Sequence, residues 1–181
     1  MGLRSNETLD TFFYKIIENE KIMNLMKLPI IKSTDTEVIK NKKLSVIKKN
    51  ITKTIQNPNE LKNEGKKVQI ENIDYNIYSD YRITITMAQA IKTNSSIFGN
   101  PQIDINIYYD NTKCEDIFKI IDLISDEFSG KELKIKFEED FTEYEMYKMI
   151  TCVGQTAQTP IINNYERIGI RFSFYATLYK K

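Results

Sequence analysis

The 181-residue sequence contains no histidine and no tryptophan, and only 6 glycines, 4 prolines and 2 cysteines. The absence of histidine excludes the most. It removes the commonest general base, the commonest transition-metal ligand and every Ser–His or Cys–His nucleophile pair. The few glycines are scattered and form neither a Walker loop nor a GxGxxG turn, so no loop is expected to wrap a phosphate closely. Cys114 and Cys152 are too few for a structural zinc site or a disulfide framework, and both read as reduced thiols. No window approaches the run of about 20 apolar residues that a membrane helix needs. The opening MGLRSNETLD lacks the basic-then-apolar plan of a signal peptide. Neither enzymatic activity, nor a metal or cofactor, nor a membrane partner is expected.

Charge is nearly balanced, with a net +1. That gives no strong pull toward nucleic acid or a membrane surface. Its distribution is uneven. Residues 32–67 are lysine-rich, with Lys40, Lys42, Lys43, Lys48, Lys49 and Lys53. Residues 104–145 are acid-rich, from Asp104 through Asp116, Asp122 and Asp126 to Glu138, Glu139, Asp140 and Glu145. Two such segments suit subunits that dock head to tail. They equally suit two solvated faces of unlike sign. The lysine segment lacks the interleaved aromatics and arginines that base stacking and bidentate readout favour, so nucleic-acid binding is not expected of it. The adjacent Glu138, Glu139 and Asp140 read as a solvated acidic turn. Ten of the 11 tyrosines, Tyr75, Tyr78, Tyr81, Tyr108, Tyr109, Tyr144, Tyr147, Tyr165, Tyr175 and Tyr179, cannot all fill a core. Exposed tyrosine is enriched at protein–protein interfaces; amphipathic strands with wetted hydroxyls are the alternative.

Periodicity organises the rest. Leu9, Phe12, Phe13, Ile16 and Ile17 recur at helical steps, with Ser5 or Asn6 as cap. Ile22, Met23, Leu25 and Met26 continue the apolar content until Pro29. Thr34 and Glu37 fit a capping box before Leu44, Ile47, Ile51 and Ile55, a thin-striped helix with a lysine-rich outer face. Residues 30–67 are therefore expected to be a Lys-rich helical insertion or peripheral arm. From Val68 the period falls to two. Ile83, Ile85 and Met87 mark one strand, and Ile103, Ile105, Ile107 and Tyr109 another. Thr112 and Glu115 fit a second capping box before a helix buried through Ile117, Ile120, Ile121, Ile124 and Phe128, with Gly130 as its C-cap glycine. Leu133, Ile135 and Phe137 form a short strand, and Tyr144 to Val153 begin another or a short helix. In the last strand Ile168, Ile170, Phe172 and Phe174 alternate with Arg167, Gly169, Arg171 and Ser173. A single α+β domain is expected, a mainly antiparallel sheet with helices on one face.

This order of elements resembles small neck and tail proteins of tailed bacteriophages and phage-tail-like bacteriocins, especially the tail terminator or tail-completion family. The likeness is carried by LDTFFYKIIENEKIMNLM, by INIYYDNTKCEDIFKIIDLISDEFSG and by the ending YERIGIRFSFYATLYKK, about a third of the chain. It implies a non-enzymatic ring, commonly of six subunits, that caps the tail tube and joins it to the head connector. The implied partners are further copies of the chain and tube, sheath or connector proteins, with DNA only passing through. The implied location is the virion, or the bacterial cytoplasm during assembly. A head-completion or adaptor protein of the neck, or an intracellular protein-binding regulatory module, are the other readings. The candidate subunit-interface residues are Lys42, Lys43, Lys48, Lys49, Lys53, Arg167, Arg171 and Tyr175.

Overall fold

The computed structural model describes residues 5–53, 65–91, 100–112, 115–139, 142–162 and 164–180. Among these the chain forms four helices and nine strands, an α+β fold.

The first helix, α1 (Ser5–Glu18), buries Phe12, Ile16 and Ile17, with Leu9 and Phe13 half-buried beside them, as the stripe requires. It does not run on to Pro29. Asn19 takes an extended conformation and its side chain accepts a hydrogen bond from Ile22 N, which starts α2 (Glu20–Leu25). Asparagine competes with the helix for its own backbone, so it ends one helix and caps the next. Its Nδ2 also donates to Glu127 Oε2. The chain leaves α2 through Lys27, at φ 55°. There Leu28 N donates to Met23 O and Lys27 N to Asn24 O, a Schellman ending without a glycine.

Helix α3 (Glu37–Asn50) begins two residues later than the capping box suggests. Its cap is Thr36, whose side chain accepts from Ile39 N. Asp35 instead accepts from Lys32 N, closing the turn that leads in. Ile51 does not extend the helical stripe. It opens strand β1 (Ile51–Thr52), which pairs in parallel with Ile83 and Thr84. The described part of the expected peripheral arm is thus built into the fold. Lys43, Val46, Ile47, Asn50 and Ile51 are all buried. Ile55 lies outside the described residues. By residue 67 the chain has entered a hairpin, β2 (Lys67–Ile70) and β3 (Ile73–Asn76). Glu71 and Asn72 form its two-residue turn with φ of 50° and 64°, as a primed turn demands.

The main sheet follows from β4 (Tyr81–Ile91), β5 (Asn100–Asp110), β6 (Glu132–Glu139), β7 (Thr142–Gln155), β8 (Thr159–Ile162) and β9 (Tyr165–Lys180). Its order is β1-β4-β5-β9-β7-β6, with β8 paired to β9. Every pairing except β1–β4 is antiparallel. Residues 148–153 are strand, not helix.

One face of this sheet is apolar. Ile83, Ile85, Ile103, Ile105, Ile107, Ile168, Ile170 and Phe172 are buried there against α1 and α4 (Ile117–Phe128). Each such side chain contributes about 1.5–3 kcal/mol on removal from water. Phe12, Phe128 and Phe172 tie the layers together, with the first two rings stacked at 4.3 Å and Phe172 at 6.2 and 5.6 Å from them. The expected box at the start of α4 does not form. Thr112 donates to Asp110 instead, and Asp116 N donates to Tyr81 Oη. The other end is as expected, with Gly130 at φ 72° just past the helix.

Candidate subunit interface

Helix α3 carries its lysines around its circumference, since successive residues are turned by about 100°. The structure therefore separates residues that adjoin in sequence. Lys42 and Lys49, seven apart, border an open groove of about 470 Å3 between α3 and the β2–β3 hairpin, with Val38, Val68 and Ile77. Lys48 and Lys53 line a second groove, of about 440 Å3, on the side of α3 that faces α1. Its apolar lining is Leu9, Phe13, Ile51 and Ile85, and Tyr14 stands at it 49% exposed.

Lys43 is not part of any exposed patch, which corrects its place among the interface candidates. It is 2% exposed and its Nζ lies 3.0 and 2.9 Å from the two oxygens of Asp35 and 2.7 Å from Glu71 Oε2. Burial alone pushes the ammonium pKa down, but the Glu71 and Asp35 carboxylates outweigh it and hold the group above its ordinary value. Asp35 is held below the usual carboxylate range by the Lys32 N–H and by Lys43. The triad fastens the turn before α3 and the tip of the hairpin to the helix. It is structural.

Arg167 and Arg171 stand on the polar face of the sheet, in register with Tyr108 and Asp104 on β5. Arg171 pairs across to Asp104 on β5, with Nε and Nη2 2.6 and 2.7 Å from its two carboxylate oxygens. That bidentate pair raises the guanidinium pKa further. Further back along β9, Arg167 adjoins Tyr108, which adjoins Arg82 on β4. Arg82 is 4% exposed, and its guanidinium carbon sits 4.7 Å from the centroid of the Tyr78 ring. Between these rows lies Gly169, where a Cβ would meet Asn106 Oδ1 at 2.8 Å and Thr156 Oγ1 at 3.0 Å. Tyr175 pairs with Met149 between β9 and β7, and its side chain lies outside the described residues.

The eight candidates therefore fall on separate regions. The two grooves beside α3 hold four of them, the polar sheet face two, and Lys43 is interior. Sequence reasoning missed Tyr14. Its signal was available, because Tyr14 lies off the apolar stripe of α1 and so has to face outward. Among the described residues no group of His, Cys, Asp and Glu is arranged to hold a metal ion. No protein-family model matches the chain, and no curated protein is significantly similar to it in sequence.

Proposed function

We propose that the protein is a structural subunit of a phage neck or tail, a tail terminator whose copies form a ring that caps the tail tube and meets the head connector. The reading rests on the resemblance of the N-terminal helix, the strand–helix run and the closing strand to that family. The observation that best supports it is the groove between α1 and β1. Half-exposed aromatic and aliphatic side chains beside Lys48, Lys53 and Asp10 suit a protein surface, since aromatic contact supplies affinity and charge sets encounter and register. The work of such a subunit is self-association and docking.

Antibody labelling of intact particles, viewed by electron microscopy, tests this. The label is expected at the head-proximal end of the tail, and tails assembled without the protein are expected to lack a finished end. Label confined to the head would favour a head-completion role. Particles devoid of the protein would reject the virion reading.

A further inference from the structure

The sheet face opposite α1 and α4 carries a patch of hydrogen-bond donors that the fold does not use. Arg167 and Arg171 lie four residues apart on β9, so both point to that face. Arg171 is neutralised by Asp104. Arg167 has no ion pair and no hydrogen bond among the described residues, and its Nε is buried without an acceptor. The residue as a whole is half-buried. Its stem is therefore held in the sheet, and the far end of the guanidinium is what reaches water. A cation fixed in this way loses little rotamer freedom on taking up an anion.

The neighbours of Arg167 are donors too. Between the two arginines Gly169 leaves the face bare, and Asn106 Oδ1 and Thr156 Oγ1 converge there, 2.8 and 3.0 Å from where a Cβ would stand. Thr156 Oγ1 accepts from Gly169 N, which leaves its own hydrogen to give. The Asn106 side chain makes no hydrogen bond among the described residues, so its amide is free to turn Nδ2 inward. Tyr108, in register with Arg167, has a hydroxyl that is equally without a described partner. Diagonal neighbours on adjacent strands stand about 7–8 Å apart, within reach of long side chains, so Arg167 and Asn106 can meet over Gly169. The carboxylates on this face of β5 are engaged: Asp104 holds Arg171, and Asp110 accepts from Thr112 N and Oγ1.

We propose that Arg167, Asn106, Tyr108 and Thr156 form a binding site for a phosphoryl group, carried by inorganic phosphate or by a mononucleotide. The guanidinium supplies the charge and two parallel N–H bonds from its terminal nitrogens, and the amide and hydroxyls take the remaining oxygens. A carboxylate has two oxygens and is saturated by the guanidinium alone. A phosphoryl group presents three strong acceptor oxygens and uses the whole set. The Tyr108 ring stands on the same face and gives a base a surface to stack on, which free phosphate cannot use. The site shares no residue with the grooves beside α3 and needs no second copy of the chain, so it is independent of the neck reading.

Inorganic phosphate and adenosine monophosphate, titrated separately into the full chain, test it by calorimetry and by backbone amide chemical shifts. The shifts are expected to centre on Asn106, Tyr108, Thr156, Arg167 and Gly169. Arg167→Gln is expected to weaken binding about tenfold or more, because it removes charge-assisted bonds, and Asn106→Ala about threefold. Both variants are expected to keep a cooperative melt. Tighter binding of the mononucleotide than of phosphate assigns the site to a nucleotide, and equal binding assigns it to free phosphate. Shifts centred on the lysines of α3 instead, a native chain that binds neither probe, or a folded Arg167→Gln variant that binds as the native chain does would each overturn the site. The shift map uses the native chain alone, so it decides the matter even where a variant fails to fold.

Discussion

Lys43 and Asp35, eight residues apart, meet in a buried bidentate ion pair at the root of a helix whose other lysines face water. The pair stands or falls with pH in a defined way. Asp35 has its pKa depressed in the fold, chiefly by the Lys32 N–H and then by Lys43. Its contribution is therefore present above the unfolded carboxylate value and lost as pH falls through the folded one. Lys43 has its pKa raised, so its contribution is present below the unfolded value and lost as pH rises through the folded one. Asp35→Asn is expected to lower the melting temperature at neutral pH and to flatten its fall in acid. Thermal melts across a pH series check this. An acid limb as steep as that of the native protein would count against the triad.

Asn50 is the second polar pin. Its Nδ2 donates to Val46 O and Ile77 O, and its Oδ1 accepts from Ser79 N at 2.7 Å. Ser79 in turn donates to Met26 O, so the end of α3, the approach to β4 and the end of α2 share one network. Asn50→Ala would leave Ser79 N and Ile77 O without these partners inside the protein. Leaving buried groups unpaired costs about 1–3 kcal/mol each, so a loss of about 2 kcal/mol is expected in urea unfolding, with the m-value unchanged. A change within error of zero would mean that water replaces the side chain.

Gly169 marks a close approach on the polar face of the sheet. Thr156 Oγ1 accepts from Gly169 N at 2.8 Å and cannot turn away without losing that bond, whereas Asn106 is free to swing its amide. Gly169→Ala is expected to cost about 1 kcal/mol, the low end for overpacking. In the double variant Asn106→Ala with Gly169→Ala, most of that cost should remain, because the fixed Thr156 sets it. A cost that vanishes in the cycle would place the strain on Asn106 instead.

Much of the fold was readable because its signals were local. The alternation of Ile103, Ile105 and Ile107 survives in the buried face of β5, and the stripe from Ile117 to Phe128 survives in α4. The errors came where polar residues took interior places. Lys43 and Asn50 occupy buried positions of α3 that an apolar-stripe reading cannot see, so the segment looked too thinly apolar to belong to the core. Thr34–Glu37 and Thr112–Glu115 have the spacing of capping boxes, but Asp35 and Asp110 draw the local hydrogen bonds and move both helix starts. The candidate site was legible only in part. Lys42 and Lys43 adjoin in sequence, yet one helical step sends the first to a groove and the second inward.

The exposed lysines give the sharpest contrast with Lys43. Lys48, Lys49 and Lys53 are exposed, and the first two lie in the last turn of α3. Cations there complement the negative end of the helix dipole, each by about 0.3–1 kcal/mol. Reversing all three to Glu is therefore expected to cost the fold about 1–2 kcal/mol, a melt shifted but still cooperative. Lys43→Glu places a third carboxylate beside Asp35 and Glu71 in a buried site and is expected to lose far more. If the grooves beside α3 are subunit contacts, the triple variant should keep its fold and still fail to cap tails. Sedimentation of tails assembled with it, beside its melt, separates the two effects. Normally capped tails would remove these lysines from the interface, and a collapsed melt would mean that they serve the fold as Lys43 does.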